Sequence, residues 1–106
     1  MVPEITARAL AERLRQPDPP LLVDVREPHE WQFCRIPGAV LKPMSRLAEW
    51  VAELDPAAEI VLQCHSGVRS WQVARYLQTR GFQRVYNLRG GIDAWSVEVD
   101  PRVPRY

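Results

Sequence analysis

Short apolar runs that alternate with helix-like segments are the feature that most constrains the fold of this chain. Residues 21–25 form a nearly continuous apolar run that only Asp24 interrupts, and the shorter apolar runs within 59–63 and 85–88 are predicted to be further strands. Such nearly continuous apolar runs are typical of strands that are buried on both faces of a parallel sheet. Strands that alternate with helices in sequence favour parallel pairing. The pattern therefore predicts a single α/β domain with a central, mainly parallel β-sheet and helices on both faces.

Amphipathic segments between these runs predict the helices. Ser45 is a candidate N-cap for one of them, because a serine side chain can accept a hydrogen bond from an N–H group of the first turn. Gly81 fits the left-handed position that follows a helix end. The predicted elements are helices at 6–16, 45–54 and 70–80, a single helical turn at 27–31, and a turn at 36–41 that leads into a further strand.

The end of the chain is predicted to be less regular. The pair Gly90-Gly91 lacks the further glycines of a dinucleotide-binding loop and the lysine of a P-loop, so it is predicted to be a backbone turn that runs through Trp95. Residues 96–106 contain two prolines and are predicted to be a tail that drapes over the surface. A length of 106 residues leaves room for one domain, residues 1–106, with its core at about 5–95.

Charge and cysteine content exclude several classes of function. The net charge is +1, which provides no field that would favour nucleic acid or an anionic membrane. No apolar run approaches the roughly 20 residues that cross a bilayer, and the first residues do not resemble a secretory signal. Cys34 and Cys64 are too far apart for a C-x-x-C redox or zinc pair. We therefore expect a cytoplasmic protein, a monomer or weak dimer, without a metal site.

The link that follows the run 59–63 is the most polar, glycine-containing connection between a predicted strand and a predicted helix. Active sites of open parallel sheets lie just outside the carboxyl ends of the strands. The candidate functional residues are Cys64, His65, Ser66, Gly67, Val68, Arg69 and Ser70. Backbone N–H groups at the start of a helix, together with the helix dipole, stabilise negative charge. Cys64 is therefore predicted to be a thiolate nucleophile.

The length of this loop distinguishes two chemistries. Cysteine phosphatases hold a phosphoryl group with the spacing C-x5-R, whereas here Arg69 comes one residue early and Ser70 stands in the place of the arginine. A loop of six residues from Cys64 to Arg69 is expected to enclose a smaller species, such as a terminal sulfur atom on the cysteine. Three alternatives stay open: an enzyme like a cysteine phosphatase or arsenate reductase, a non-catalytic binding module, and a persulfide carrier whose acceptor is a protein partner.

Four motifs then occur in the order that is typical of a known family. They are LVDVRE at 22–27 followed by Glu30-Trp31, IPGA at 36–39, CHSGVRS at 64–70, and NLRGGIDAW at 87–95. Over residues 5–95 the chain resembles the rhodanese (thiosulfate:cyanide sulfurtransferase) homology domain in its single-domain form. One departure is Cys34-Arg35, which stand where the family has Gly-His. This difference implies a slightly different turn and the loss of a histidine hydrogen-bonding group.

The resemblance implies a double-displacement mechanism. The Cys64 thiolate would attack the outer sulfur of thiosulfate or a similar donor, sulfite would leave, and the loop amides from His65 to Ser70 would stabilise the resulting persulfide. Cyanide, a thiol or an acceptor protein would then remove that sulfur. Arg69 would bind the anionic donor, and no metal or organic cofactor would be needed.

Roles are also predicted for three residues outside the loop. Arg26 is predicted to be structural, in a salt bridge with Glu30. Cys34 is interpreted as a small packing residue rather than a resolving thiol. Trp71, directly after the loop, is a candidate for one wall of the pocket.

Overall fold

The strands of the fold form one parallel sheet, as predicted, and it has five strands rather than the predicted four. The computed structural model describes residues 1–106. The strands are β1 (Glu4–Ile5), β2 (Leu21–Asp24), β3 (Val40–Leu41), β4 (Ile60–Gln63) and β5 (Val85–Leu88). Their order in the sheet is β1-β5-β4-β2-β3, and every pairing is parallel. Strand β4 therefore lies in the centre of the sheet, and the residue that follows it emerges at the middle of the carboxyl edge.

Helices cover both faces of this sheet. They are α1 (Ala7–Leu14), α2 (Pro28–Phe33), α3 (Leu47–Trp50), α4 (Val68–Thr79) and α5 (Gly91–Glu98). Side chains alternate along β4, so that Ile60 and Leu62 pack with residues of α3 and α4, while Val61 packs with residues of α1 and α5. The predicted three-layer arrangement is confirmed. None of the helices combines the length and the apolar character that a bilayer crossing requires.

Two predicted helices differ from the observed ones at their starts. The segment 45–54 is divided into a 3-10 turn (Met44–Arg46), α3 and a second 3-10 turn (Val51–Glu53). Ser45 is not an N-cap, because its hydroxyl donates instead to Glu27 Oε1 at 2.6 Å. Helix α4 begins at Val68, two residues before the predicted start, because Gly67 adopts a left-handed conformation and serves as its N-cap. Gly81 has a φ of +91° after the end of α4, as predicted.

The prediction for the end of the chain is wrong in two respects. The turn at 90–95 is the start of helix α5, which continues to Glu98. Residues 96–106 are not a loose surface tail, because Ser96 is buried, Val103 is only 7% exposed in the same apolar cluster as α1 and α5, and Tyr106 contacts the loop that follows β4. Both prolines lie beyond the end of α5, where they leave its hydrogen bonds intact. Strand β1 was also missed, since two residues carry no periodic signal.

A buried ion pair lies at the carboxyl end of β2. Asp24 and Arg26 are both fully buried, and the guanidinium donates from Nε to Asp24 Oδ1 at 2.9 Å and from Nη2 to Asp24 Oδ2 at 2.6 Å. Arg26 also donates to the carbonyl of Cys34 at 2.7 Å and to Tyr106 Oη at 3.1 Å. The predicted salt bridge between Arg26 and Glu30 is wrong: Arg26 contacts only the Glu30 carbonyl, at 3.4 Å, because the adjacent carboxylate of Asp24 is the nearer partner.

We expect Asp24→Asn to destabilise the protein by about 3 kcal/mol or more, since the substitution leaves the charge of Arg26 buried and unpaired. The free energy of unfolding in urea measures the effect. Asp18→Asn is the control, because it makes the same chemical change at an exposed position. Equal stabilities of the two variants would show that the buried pair does not hold the fold together.

Candidate active site

The Cys64 side chain lies at the centre of the carboxyl edge of the sheet, directly after β4. It is 1% exposed, and its sulfur atom accepts hydrogen bonds from two backbone N–H groups of the following loop. The N–H of Gly67 lies 3.2 Å from Sγ, and the N–H of Ser70 lies 3.4 Å from it. The Ser70 hydroxyl lies 3.3 Å from the same atom. Three polar groups therefore converge on one buried sulfur atom.

The loop amides can face the sulfur because the first loop carbonyls face the other way. The carbonyl of Cys64 accepts a hydrogen bond from the N–H of Ile92 at 2.8 Å, and that of His65 accepts from the N–H of Asp93 at 3.1 Å. These two donors belong to the first turn of α5, whose N–H groups have no partner within their own helix. The start of α5 thus holds the beginning of the loop in place.

Gly91 makes this contact between α5 and the loop possible. A Cβ atom at this position would lie 2.4 Å from the Cys64 carbonyl oxygen and 2.5 Å from that of His65. Real Cβ atoms essentially never approach an oxygen so closely, and both obstructing groups are backbone. Gly91 also has a φ of +59°, which disfavours any other residue. The second glycine of the Gly90-Gly91 pair is therefore explained by close packing against the loop.

Asn87 forms hydrogen bonds with the second half of the loop. Its Nδ2 donates to the Gly67 carbonyl at 3.0 Å, and its Oδ1 accepts from the Ser70 hydroxyl at 2.5 Å. Because Ser70 has one hydroxyl proton, Asn87 Oδ1 and Cys64 Sγ share a single donor. Asn87 was not singled out from the sequence, although a polar residue within the apolar run 85–88 was the available signal.

The guanidinium of Arg69 is not unpaired in the site, because it forms a bidentate ion pair with the carboxylate of Glu30. Its Nη1 donates to Glu30 Oε1 at 2.7 Å, and its Nη2 donates to Oε2 at 2.9 Å. The hydrogen bonds with Arg69 hold the pKa of the Glu30 carboxyl well below its usual range, and the same bonds raise the pKa of Arg69. The pair therefore carries both charges throughout the pH range in which the protein would be assayed.

Tyr106 covers this ion pair. Its hydroxyl donates to Glu30 Oε2 at 2.7 Å, and its ring stacks on His65 with the ring centroids 4.1 Å apart. Burial raises the pKa of Tyr106 to about 12. Neither Glu30 nor Tyr106 was among the predicted site residues. Both reach the loop from segments that are distant in sequence, and only the folded chain brings them together.

The remaining residues considered from the sequence lie further from the sulfur. The side chains of Ser66 and Val68 are exposed. Trp71 is 44% exposed and lines a surface groove with Gly67 and Asn87, and Cys64 is not among the residues that border this groove. Cys34 is buried, with its sulfur 3.9 Å from Nη1 of Arg26. No group of three or more His, Cys, Asp and Glu side chains is arranged to hold a metal ion.

We expect Gly91→Ala to destabilise the protein by about 2–4 kcal/mol, because the new methyl group must displace the loop backbone. Gly38→Ala is the matched control, since Gly38 also has a positive φ, of +88°, but an added Cβ would meet nothing within 4 Å. Urea unfolding compares the two variants, and the amide chemical shifts of Gly67 and Ser70 report the loop directly. The same loss of stability in both variants, with unchanged loop shifts, would refute the role of close packing.

Comparison with known proteins identifies the family. A family model described as a rhodanese-like domain matches residues 6–98. The chain is 42% identical to a sulfurtransferase of Allochromatium vinosum over 91% of this chain and 90% of that protein. It is 38% identical to the rhodanese-like/PpiC domain-containing protein 12, chloroplastic, of Arabidopsis thaliana over 99% of this chain, but it spans only 38% of that longer protein. The crystal structure of a rhodanese-like domain protein from Staphylococcus aureus superposes with a TM-score of 0.85 and 30% identity over 99% of both chains. The chain belongs to the rhodanese-like domain family.

Proposed function

We propose that this protein is a sulfurtransferase that carries a sulfane sulfur as a persulfide on Cys64. The donor is thiosulfate or a related compound, and the acceptor is cyanide, a thiol or an acceptor protein. The observation that carries the proposal is the convergence of the Gly67 and Ser70 amides, at 3.2 and 3.4 Å, on a single buried sulfur atom. The relative from Allochromatium vinosum bears the name sulfurtransferase, which supports the same class of reaction.

The reaction has two half-reactions that exchange one sulfur atom. In the first, the Cys64 thiolate attacks the outer sulfur of the donor, a new S–S bond forms, and the bond between the two sulfur atoms of thiosulfate breaks. Sulfite leaves with the electron pair of that bond. In the second, cyanide or a thiolate attacks the terminal sulfur, takes it as thiocyanate or a persulfide, and releases the Cys64 thiolate.

The loop supplies the stabilisation that this chemistry needs. The terminal sulfur of a persulfide carries negative charge one bond beyond Sγ, toward the curve formed by residues 65–70. Backbone N–H groups that are already oriented stabilise such a charge without reorganisation during the reaction. We assign this role to the amides of the loop, namely those of His65, Ser66, Gly67, Val68, Arg69 and Ser70. The contacts of α5 and Asn87 with the loop carbonyls support this assignment, because they hold those carbonyls away from the sulfur.

The alternative of a cysteine phosphatase is less well supported. Such an enzyme needs an arginine whose guanidinium receives the phosphoryl oxygens, and here both terminal nitrogens of Arg69 are bonded to Glu30. The loop from Cys64 to Arg69 is also one residue shorter than the C-x5-R spacing.

We expect the intact mass of the reduced protein to increase by one sulfur atom after incubation with thiosulfate, and to return to its starting value when cyanide is added. The adduct should be absent in Cys64→Ser, which lacks the nucleophile. Cys34→Ser is the matched control, because it removes the only other cysteine and should still form the adduct.

An assay with a generic aryl phosphate, run in parallel, separates the alternatives. Phosphate release without a sulfur adduct would contradict sulfur transfer and support the phosphatase alternative. Neither an adduct nor phosphate release would favour the non-catalytic binding module.

A further inference from the structure

We propose that Glu30 sets the charge preference of the sulfur donor, so that donors with one negative charge are favoured over dianions such as thiosulfate. The inference rests on the proposed function, namely sulfur transfer at Cys64, and adds the charge class of the donor to it. It begins from the observation that the only cationic side chain of the loop, Arg69, is neutralised by the carboxylate of Glu30.

The carboxylate of Glu30 is held firmly in this position. In addition to its two bonds with Arg69, it accepts the Tyr106 hydroxyl at 2.7 Å and the backbone N–H of Glu27 at 3.0 Å. Each carboxylate oxygen thus has two donors, and the side chain is only 11% exposed. A carboxylate with four hydrogen bonds and little contact with solvent does not turn away when an anion arrives.

Two further arginines that contact neighbours of the loop are also paired with carboxylates. Arg26 is bound to Asp24 by the buried pair, and Arg105 donates from Nε to Asp93 Oδ1 at 2.8 Å. Together with Arg69, each of these cations therefore has its own carboxylate. The loop consequently offers a donor its backbone N–H dipoles rather than a net positive charge.

Backbone dipoles of this kind suit a single negative charge on the transferred sulfur. The second charge of thiosulfate, on its sulfonate oxygens, gains no unpaired cation from Arg26, Arg69 or Arg105, and it faces the charge of Glu30. An alkanethiosulfonate is a matched probe, because it carries the same outer sulfur but only one negative charge. The bond between its outer sulfur and its sulfonyl sulfur breaks in the same way, an alkanesulfinate leaves with the electron pair, and the same Cys64 persulfide forms.

The test compares thiosulfate with methanethiosulfonate as donors in the wild type and in Glu30→Gln. The readout is the second-order rate constant of persulfide formation, followed by intact mass. We expect the ratio of the thiosulfate constant to the methanethiosulfonate constant to increase about tenfold in Glu30→Gln, because the dianion gains twice the attraction of the monoanion once Arg69 is unpaired. The increase should shrink at high ionic strength.

Glu59→Gln is the matched control for this substitution. Glu59 also forms a bidentate ion pair, with Arg13. It precedes β4, however, and therefore lies at the end of the sheet opposite to Cys64. The control changes the net charge by the same amount, and its ratio of rate constants should equal that of the wild type.

A ratio in Glu30→Gln that is unchanged or lower would overturn the inference, since Glu30 would then serve only to orient Arg69 for the donor. The wild type provides a second test that does not depend on the folding of a variant. Its second-order rate constant with thiosulfate should change little as the salt concentration increases. A steep decrease of this rate constant with thiosulfate, but not with methanethiosulfonate, would overturn the inference. In either case persulfide formation itself would leave the proposed function intact. Absence of a persulfide with both donors would overturn the two together.

Discussion

The candidate site depends first on the hydrogen bonds between the start of α5 and the loop that follows β4. Ile92 and Asp93 bind the carbonyls of Cys64 and His65, so the loop amides that follow are left facing the sulfur. This contact requires the two backbones to approach so closely that only glycine fits at position 91. The same interaction satisfies the unpaired N–H groups at the start of α5. One set of contacts therefore completes the helix, shapes the loop and orients its dipoles.

The buried pair of Asp24 and Arg26 has a corresponding role on the other side of Cys64. Strand β2 is adjacent to β4, and Arg26 joins its end to the Cys34 carbonyl and to Tyr106. Tyr106 in turn contacts His65 and Glu30, and Glu30 holds Arg69. A network of hydrogen bonds and stacking thus connects the edge of the core to the mouth of the site. The charges in this network are paired, which is the basis for the expected preference among sulfur donors.

The parallel sheet and the position of the loop could be predicted from local sequence, because buried strands are apolar and the link after the central strand is polar. Contacts across long sequence separations could not be predicted in this way. Nothing local to Arg26 distinguishes Asp24 from Glu30 as its partner, and no periodic pattern shows that Tyr106 returns to His65. Helix α5 was predicted as a turn because a pair of glycines stands at its start, whereas Gly91 in fact permits close packing of the helix against the loop. The roles of residues 64–70 in sulfur transfer stay a prediction.

We propose that the loop amides hold a sulfur atom on Cys64, and NMR spectroscopy observes those amides directly. Amide chemical shifts of ¹⁵N-labelled protein would be recorded before sulfur loading, after it, and after removal of the sulfur with cyanide. We expect the largest changes at Gly67, Ser70 and their neighbours in the loop, and we expect cyanide to reverse them. A persulfide detected by mass without shift changes in the loop, or with the largest shift changes around Cys34, would show that the loop amides do not hold the sulfur.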